Sequence, residues 1–316
     1  MVTVRKLFEK INIGGELEGE LRFDEPLSLH TTFRVGGPAD AWFRPSGPRA
    51  VEAMSAVLRS AAAEGVPIFI LGGGANVVVS DSGVRGVVLD TTGLTGCEFE
   101  SPLIVRVRAG TSVDRAAEEC ASRALGGLEF LAGMPGSMGG AVWMNARCYG
   151  KSISDVLVET EILDEAFSRR VIPFRSEEFA YKRSPFQARP VLIVAARFRL
   201  QERSAEELRT EMARYRQDRE AKGHYRMPSA GSAFKNDYSY GVPTGKIVDE
   251  LGLRGLQIGG ARVADWHGNI IVNTGNAAAA DIRALVDEVA ARVLKERGLR
   301  LESEILFVGD WDSGGN

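Results

Sequence analysis

In the segment RAVEAMSAVLRSAAAEG the apolar side chains recur at Val51, Met54, Val57 and Leu58, the spacing of one helix face, and Gly65 closes the pattern where a left-handed cap is expected. VPIFIL (66–71) follows at once as a continuously apolar run, which reads as a buried strand packed under that helix. A second helix is predicted from Thr111 or Ser112 through Ala116, Ala117, Cys120 and Ala121 to Gly126. Strands flank it: VRGVVLD (84–90) and LIVRVRAG (103–110) before, VLVETEILD (156–164) and VLIVAARFRL (191–200) after. Ser204 and Glu207 form a capping-box pattern ahead of the charged helix EELRTEMARYRQDREAKG. The last helix has Asp281 as its candidate N-cap, an apolar face at Ile282, Leu285, Val286, Val289 and Val293, and Gly298 as its stop, before a final strand ILFVG (305–309).

Strands alternating with helices imply α/β or α+β layers around two cores, with a boundary in the charged connector at about 203–215. Residues 1–27 read as a helical arm containing the polar turn IGGELEGE, and LHTTFRVGGPADAWFRP as an extended stretch. The 316 residues carry 39 Lys+Arg against 42 Asp+Glu, a net charge of −3, which argues against an electrostatic grip on nucleic acid or anionic lipid. No apolar run approaches the roughly 20 residues of a membrane helix, and the N-terminus lacks the apolar core of a secretory signal, so a cytoplasmic protein without membrane insertion is expected. Cys97, Cys120 and Cys148 have neither CxxC spacing nor an even count and are expected to be buried thiols. His30, His224 and His267 are too dispersed for a metal motif, and no metal is inferred.

Glycine changes the picture. The 36 glycines cluster at 36–37, 72–74, 126–127, 133–140 and 259–260 between apolar segments, where bare backbone is forced into positive φ or brought close to something else. In ILGGGANVVVSD, Gly72, Gly73 and Gly74 stand between two apolar strands and can turn successive N–H groups toward one anion; a ligand-free tight turn fits the same residues. GMPGSMGGAVWMNA (133–146) sets Pro135, Gly136, Ser137, Gly139 and Gly140 ahead of a potentially helical stretch, whose start offers N–H groups and a positive dipole end to phosphate. Two such loops suit a diphosphate cofactor. Neither a Walker loop nor GxGxxG is present, which argues against an ordinary Rossmann dinucleotide site.

HTTFRVGGPADAWF, ILGGGANVVVSD, FLAGMPGSMGGAVWMNARCYG, FAYKRSPF, PSAGSAFKN, TGKIVDELGLRG, HGNIIVN and LESEILFVG occur in this order over residues 28–309. Together they resemble the UDP-N-acetylenolpyruvoylglucosamine reductase family (MurB), in its shorter type II form, because little room is left between Tyr181 and Ser204 for the insertion of the longer type. The resemblance implies an α+β protein with an FAD-binding fold of the vanillyl-alcohol-oxidase (PCMH) type. That domain would span 28–203 in two subdomains, 28–95 and 96–203. A substrate-binding domain would follow over 204–316, its last strand carrying Glu304. It further implies an enzyme that uses NADPH and FAD to reduce UDP-N-acetylglucosamine enolpyruvate to UDP-N-acetylmuramate for peptidoglycan precursors. A monomer is expected.

By the same resemblance, Gly72, Gly73, Gly74, Ala75 and Asn76, with Pro135, Gly136, Ser137, Gly139 and Gly140, hold FAD. Ser232 is the proton donor, a role worth roughly 10²–10⁴-fold in rate, and Glu304 helps to polarise the substrate carboxylate, with Glu302 two residues away as its register competitor. The family usually carries an arginine in a YRxS turn; here the turn reads Tyr181, Lys182, Arg183, Ser184, so either Lys182 takes the cationic role or Arg183 does after a one-residue shift. Lysine offers a point charge without the bidentate fork. Lys222 and Asn236 are the implied diphosphate contacts, Lys235 and Asn269 weaker ones, and Arg34 either a brace on the flavin side or a member of a structural ion pair. The chain departs from the family with Ala75 for serine, Arg147 and Cys148 for small residues, KGH at 222–224 for KQP, and Asp237 for proline. The YKRS departure keeps a flavin oxidase or dehydrogenase acting on another sugar or alcohol as an alternative. A flavin or nucleotide-sugar binder without turnover is a third reading, disfavoured by Ser232 and Glu304 occurring together.

Overall fold

The computed structural model describes residues 4–11 and 17–311. Its helices are α1 (Val4–Ile11), α2 (Ala50–Glu64), α3 (Val113–Ala121), α4 (Met138–Trp143), α5 (Ala205–Ala221), α6 (Thr244–Glu250) and α7 (Ala279–Arg297). The chain divides into two compact units, each assembled from three pieces. The first takes residues 1–23, 40–73 and 86–217, the second 24–39, 74–85 and 218–316.

In the first unit the predicted helix over 50–64 is present, with Gly65 at φ +66 donating its N–H to the carbonyls of Ala61 and Ala62. Val51, Met54, Val57 and Leu58 are its buried face. The strand Ile68–Leu71 pairs in parallel with Val84–Asp90, in a sheet completed by Pro38–Pro45 and Gly19–Pro26. A second sheet of five strands runs Arg169–Pro173, Leu157–Leu163, Leu192–Arg199, Ile104–Arg108, Cys97–Ser101, antiparallel throughout. One core, holding Phe43, Met54, Val107, Phe130, Val142 and Phe198, serves these elements. From Tyr181 to Ser204 the chain forms a 3-10 turn and the strands Leu192–Arg199 and Gln201–Glu202, with no further insertion.

The second unit has a three-stranded antiparallel sheet, Gln257–Ile258, Ala261–Val263 and Ile271–Asn273. The last strand, Leu306–Val308, pairs in parallel with Val77–Val79. Its core draws Phe33 and Val35, Val78, and the apolar face of α7 into one cluster.

Three local expectations change. The arm is helical only over Val4–Ile11, and Gly19–Pro26 is a strand; residues 13–16 of the polar turn lie outside the described residues. α3 stops at Ala121 rather than Gly126, with Ala124 at φ +58 reversing the chain before Leu125–Gly126 pairs with Gln201–Glu202. Asp281 is not the N-cap of α7 but lies inside its first turn, where its carboxylate accepts the N–H groups of Ala278 and Gly260, while Asp81 accepts those of Ala279 and Ala280. A carboxylate reaching in from another segment does what a local cap would do.

Candidate functional site

The glycine loops of the first unit lean on each other. A Cβ on Gly73 would lie 2.8 Å from Gly136 Cα, and one on Gly72 would run into Ser137 Oγ, so only glycine lets the two backbones meet. Ser137 caps α4, and its Oγ accepts from the N–H groups of Gly73 (3.2 Å) and Gly140 (3.4 Å). Met138 and Gly139 give their N–H groups to the carbonyls of Thr111 and Ala109, both at 2.8 Å. The N–H groups of Gly136 and Ser137 donate to no protein acceptor among the described residues. Bare, closely spaced backbone with unspent donors and no acidic side chain of its own fits the diphosphate of a dinucleotide such as FAD. Gly74 belongs to the second unit, where at φ +61 it packs against His30 and Thr31, and its carbonyl accepts the Thr32 N–H. Ala75 is half-buried. Asn76 gives its carboxamide N–H to the Glu304 carbonyl (2.8 Å), and its own carbonyl accepts the Leu306 N–H.

The other end of α4 holds the candidate cationic turn. Ser184 Oγ and Gln187 Nε2 both donate to the Trp143 carbonyl, Gln187 Nε2 also reaches the Lys182 carbonyl, and Asn145 Nδ2 donates to the Ala180 carbonyl (2.9 Å). Ala180 and Arg183 exchange backbone hydrogen bonds around Tyr181 and Lys182. Lys182 sits at φ +57, left-handed backbone that costs an L-residue about 1–2 kcal/mol. Its side chain is half-buried, whereas Arg183 is exposed. Nearby, Arg147 is exposed and Cys148 turns inward, its Sγ 2.7 Å from the Phe130 carbonyl.

In the second unit Ser232 lies on a segment clamped from both sides. Asn269 accepts the Phe234 N–H on Oδ1, donates from Nδ2 to the Phe234 carbonyl, and accepts the Ala233 N–H on its own carbonyl. On the opposite side Glu304 donates its N–H to the Ala233 carbonyl (2.8 Å), and Lys235 donates to the Glu302 carbonyl. The two carboxylates of LESE separate clearly: Glu304 is 9% exposed, while Glu302 is an exposed ion-pair partner of Lys235. Ser232 and Asn236 share a cavity of about 310 Å3 with Lys246, Asp249, Arg254, Trp266, His267 and Asn269. Glu304 and Lys222 are not in its wall; Lys222 is exposed and paired with Asp218 at 2.7 Å on the last turn of α5. Asp237, proline in the resemblance, accepts the Ser239 N–H and so caps the turn Tyr238–Tyr240. Arg34 is exposed at φ +57.

His224 and His267, far apart in sequence, have ring centroids 6.3 Å apart. Burial, then the positive charge of Arg219, pushes His224 down to about 4; burial, then Arg254, lowers His267 as well. His267 Nδ1 accepts the Asn269 N–H at 3.1 Å, which leaves Nε2 as the ring's donor. Lys246, Arg254 and Trp266 were not singled out by sequence reasoning. Two of them lie within TGKIVDELGLRG, which does not indicate which side chains share a cavity, and Trp266 lies one residue outside the motif that begins at His267.

A family model described as FAD binding domain matches residues 47–166, which sets the chain among FAD-binding oxidoreductases. A second model, UDP-N-acetylenolpyruvoylglucosamine reductase, C-terminal domain, matches residues 223–308. The UDP-N-acetylenolpyruvoylglucosamine reductase of Treponema denticola is 38% identical over 310 residues, covering 93% of this chain and 95% of the relative. That of Syntrophus aciditrophicus is 36% identical over 98% of both chains. The crystal structure of the enzyme (MurB) from Thermus caldophilus superposes with a TM-score of 0.74 at 33% identity, covering 92% of this chain and 98% of the other. The chain belongs to the UDP-N-acetylenolpyruvoylglucosamine reductase family. Its fold is therefore an FAD-binding fold joined to a MurB-type C-terminal domain, as the motifs led one to expect.

Proposed function

We propose that this protein is an FAD-containing, NADPH-dependent reductase of UDP-N-acetylglucosamine enolpyruvate, yielding UDP-N-acetylmuramate for peptidoglycan precursors. The observation that carries this reading is the Ser232 segment, hydrogen-bonded on one side to Asn269 and on the other to Glu304, in a cavity furnished with Asn236, Lys246 and Arg254. Bound flavin supplies the hydride for the enolpyruvyl double bond. Ser232 Oγ delivers a proton to the neighbouring carbon, which is basic enough at that moment to be protonated by a hydroxyl. Glu304, buried and fixed through its backbone, helps to polarise the substrate carboxylate. Gly136 and Ser137 N–H groups hold the cofactor diphosphate.

Lys182, rather than Arg183, takes the cationic role. Supporting this are its half-buried side chain and the left-handed backbone held by Gln187, Asn145 and Ser184, since strain of this kind persists where surrounding contacts over-determine it. Asn236, Lys246 and Arg254 bind the substrate diphosphate, with Lys222 contributing from the end of α5. No described helix is long and apolar enough to cross a membrane. We place the enzyme in the cytoplasm, where nucleotide-sugars and NADPH are found, and as a monomer, which gel filtration tests.

Anaerobic stopped-flow tests the activity. Protein reduced with NADPH and mixed with UDP-N-acetylglucosamine enolpyruvate should regain its oxidised-flavin absorbance in a single turnover. Flavin that stays reduced, or a folded preparation that binds no FAD, overturns the proposal.

A further inference from the structure

The indole of Trp266 lines the Ser232 cavity. Its place depends on Gly223. That residue is at φ +74, and a Cβ there would overlap indole Nε1, Cδ1 and Cε2, so a side chain at 223 and the indole at 266 exclude each other. Glycine occupies the position at which the family pattern KQP has glutamine, and the departure in sequence is thus the condition for the aromatic wall. Met227, Ala264, Ile270 and Val272 pack around the indole, and the Arg226 guanidinium lies 5.2 Å from its ring centroid. A buried indole N–H usually finds an acceptor, and this one has none among the described residues.

Besides Pro243, Gly245 and Gly268, the remaining wall is polar or charged: Ser232, Asn236, Lys246, Asp249, Arg254, His267 and Asn269. These groups suit phosphates and sugar hydroxyls, and the indole is the largest planar apolar face among the lining side chains. We propose that Trp266 is the stacking surface for the planar base of the substrate's nucleotide, and that Gly223 makes room for it. This rests on the UDP-sugar reading above and adds a specificity-determining residue to it.

The test compares holoenzyme binding of UDP with that of dihydro-UDP, whose saturated base is no longer planar, by calorimetry. Wild type should prefer UDP, and Trp266→Leu should lose roughly tenfold or more of its UDP affinity, and the preference with it. Trp266→Phe should keep most of both, and Gly223→Gln, which displaces the indole, should copy Trp266→Leu. A wild type without preference, or a preference intact in Trp266→Leu, overturns the stacking role while leaving the substrate reading standing. A Trp266→Leu protein that loses both ligands equally marks a collapsed cavity and also overturns it. Wild type that binds neither UDP nor the UDP-sugar overturns the substrate reading together with the inference.

Discussion

Lys182 is the residue at which sequence departure and backbone strain coincide. Left-handed φ costs lysine about 1–2 kcal/mol, and glycine escapes that cost while losing up to about 1 kcal/mol through its freer unfolded chain. Lys182→Gly is therefore expected to leave the melting temperature unchanged or slightly raised while turnover falls on the order of 10²-fold, the scale of one lost electrostatic contact in a transition state. Arg183→Ala, at an exposed position, should cost little of either. Steady-state kinetics beside thermal melts check this, and the reverse result, turnover lost with Arg183 and kept without Lys182, assigns the role to arginine. His224 supplies a pH prediction. Folded, it is held down at about 4, below the ordinary 6.5, chiefly by burial and then by Arg219. The unfolded chain takes up a proton near 6.5 and the folded one does not. This contribution to stability is thus complete above 6.5 and is lost as pH falls toward 4. NMR should show His224 neutral at pH 5.5, and His224→Gln should flatten the decline of stability over that window; titration at the ordinary value refutes it.

At the scale of elements, α4 ties the glycine loops to the Tyr181–Ser184 turn within six residues. Ser137 gathers the Gly73 and Gly140 N–H groups at its first turn, and Trp143 anchors Ser184 and Gln187 at its last. Gly73→Ala inserts a methyl group 2.8 Å from Gly136 Cα, and overpacking of rigid backbone costs about 1–3 kcal/mol. The loops must then separate, so the variant is expected to purify with substoichiometric flavin, measurable from its visible absorbance; a full complement of FAD contradicts the cradle. Local signals made such elements legible. The spacing of Val51, Met54, Val57 and Leu58, the stop at Gly65 and the strand Val84–Asp90 all stand as read. What was not legible was set by distant partners. α3 ends early because Leu125–Gly126 is claimed by Gln201–Glu202, and Asp281 serves Gly260 as well as its own helix. The motifs named Ser232, Asn236 and Glu304, but nothing in their spacing shows Asn269 making three hydrogen bonds to the Ser232 segment.

For the molecule as a whole, a linear reading divides the chain into consecutive segments, whereas its cores divide it in interleaved pieces. Residues 204–316 contain α6, α7 and the three-stranded sheet, but the core they build around includes Phe33, Val35 and Val78 from far upstream. Val77–Val79 is the partner of the last strand, Asp81 supplies the acceptors for the first N–H groups of α7, and Asn273 Nδ2 donates to the Phe33 carbonyl. Cutting at 204 removes the apolar plug, a strand and a helix cap at once. Burying each large apolar side chain contributes about 1.5–3 kcal/mol, and a helix cap typically about 1 kcal/mol. Their sum is comparable to the whole stability of a domain this size. Expressed alone, 204–316 is expected to lack a cooperative melt and dispersed amide resonances. Phe33→Ala in the full chain should destabilise by about 3–5 kcal/mol, and its hydrogen-exchange protection should fall in α7 and the Ile271–Asn273 strand. A cooperatively folded 204–316 fragment would show that the upstream pieces decorate this core rather than complete it.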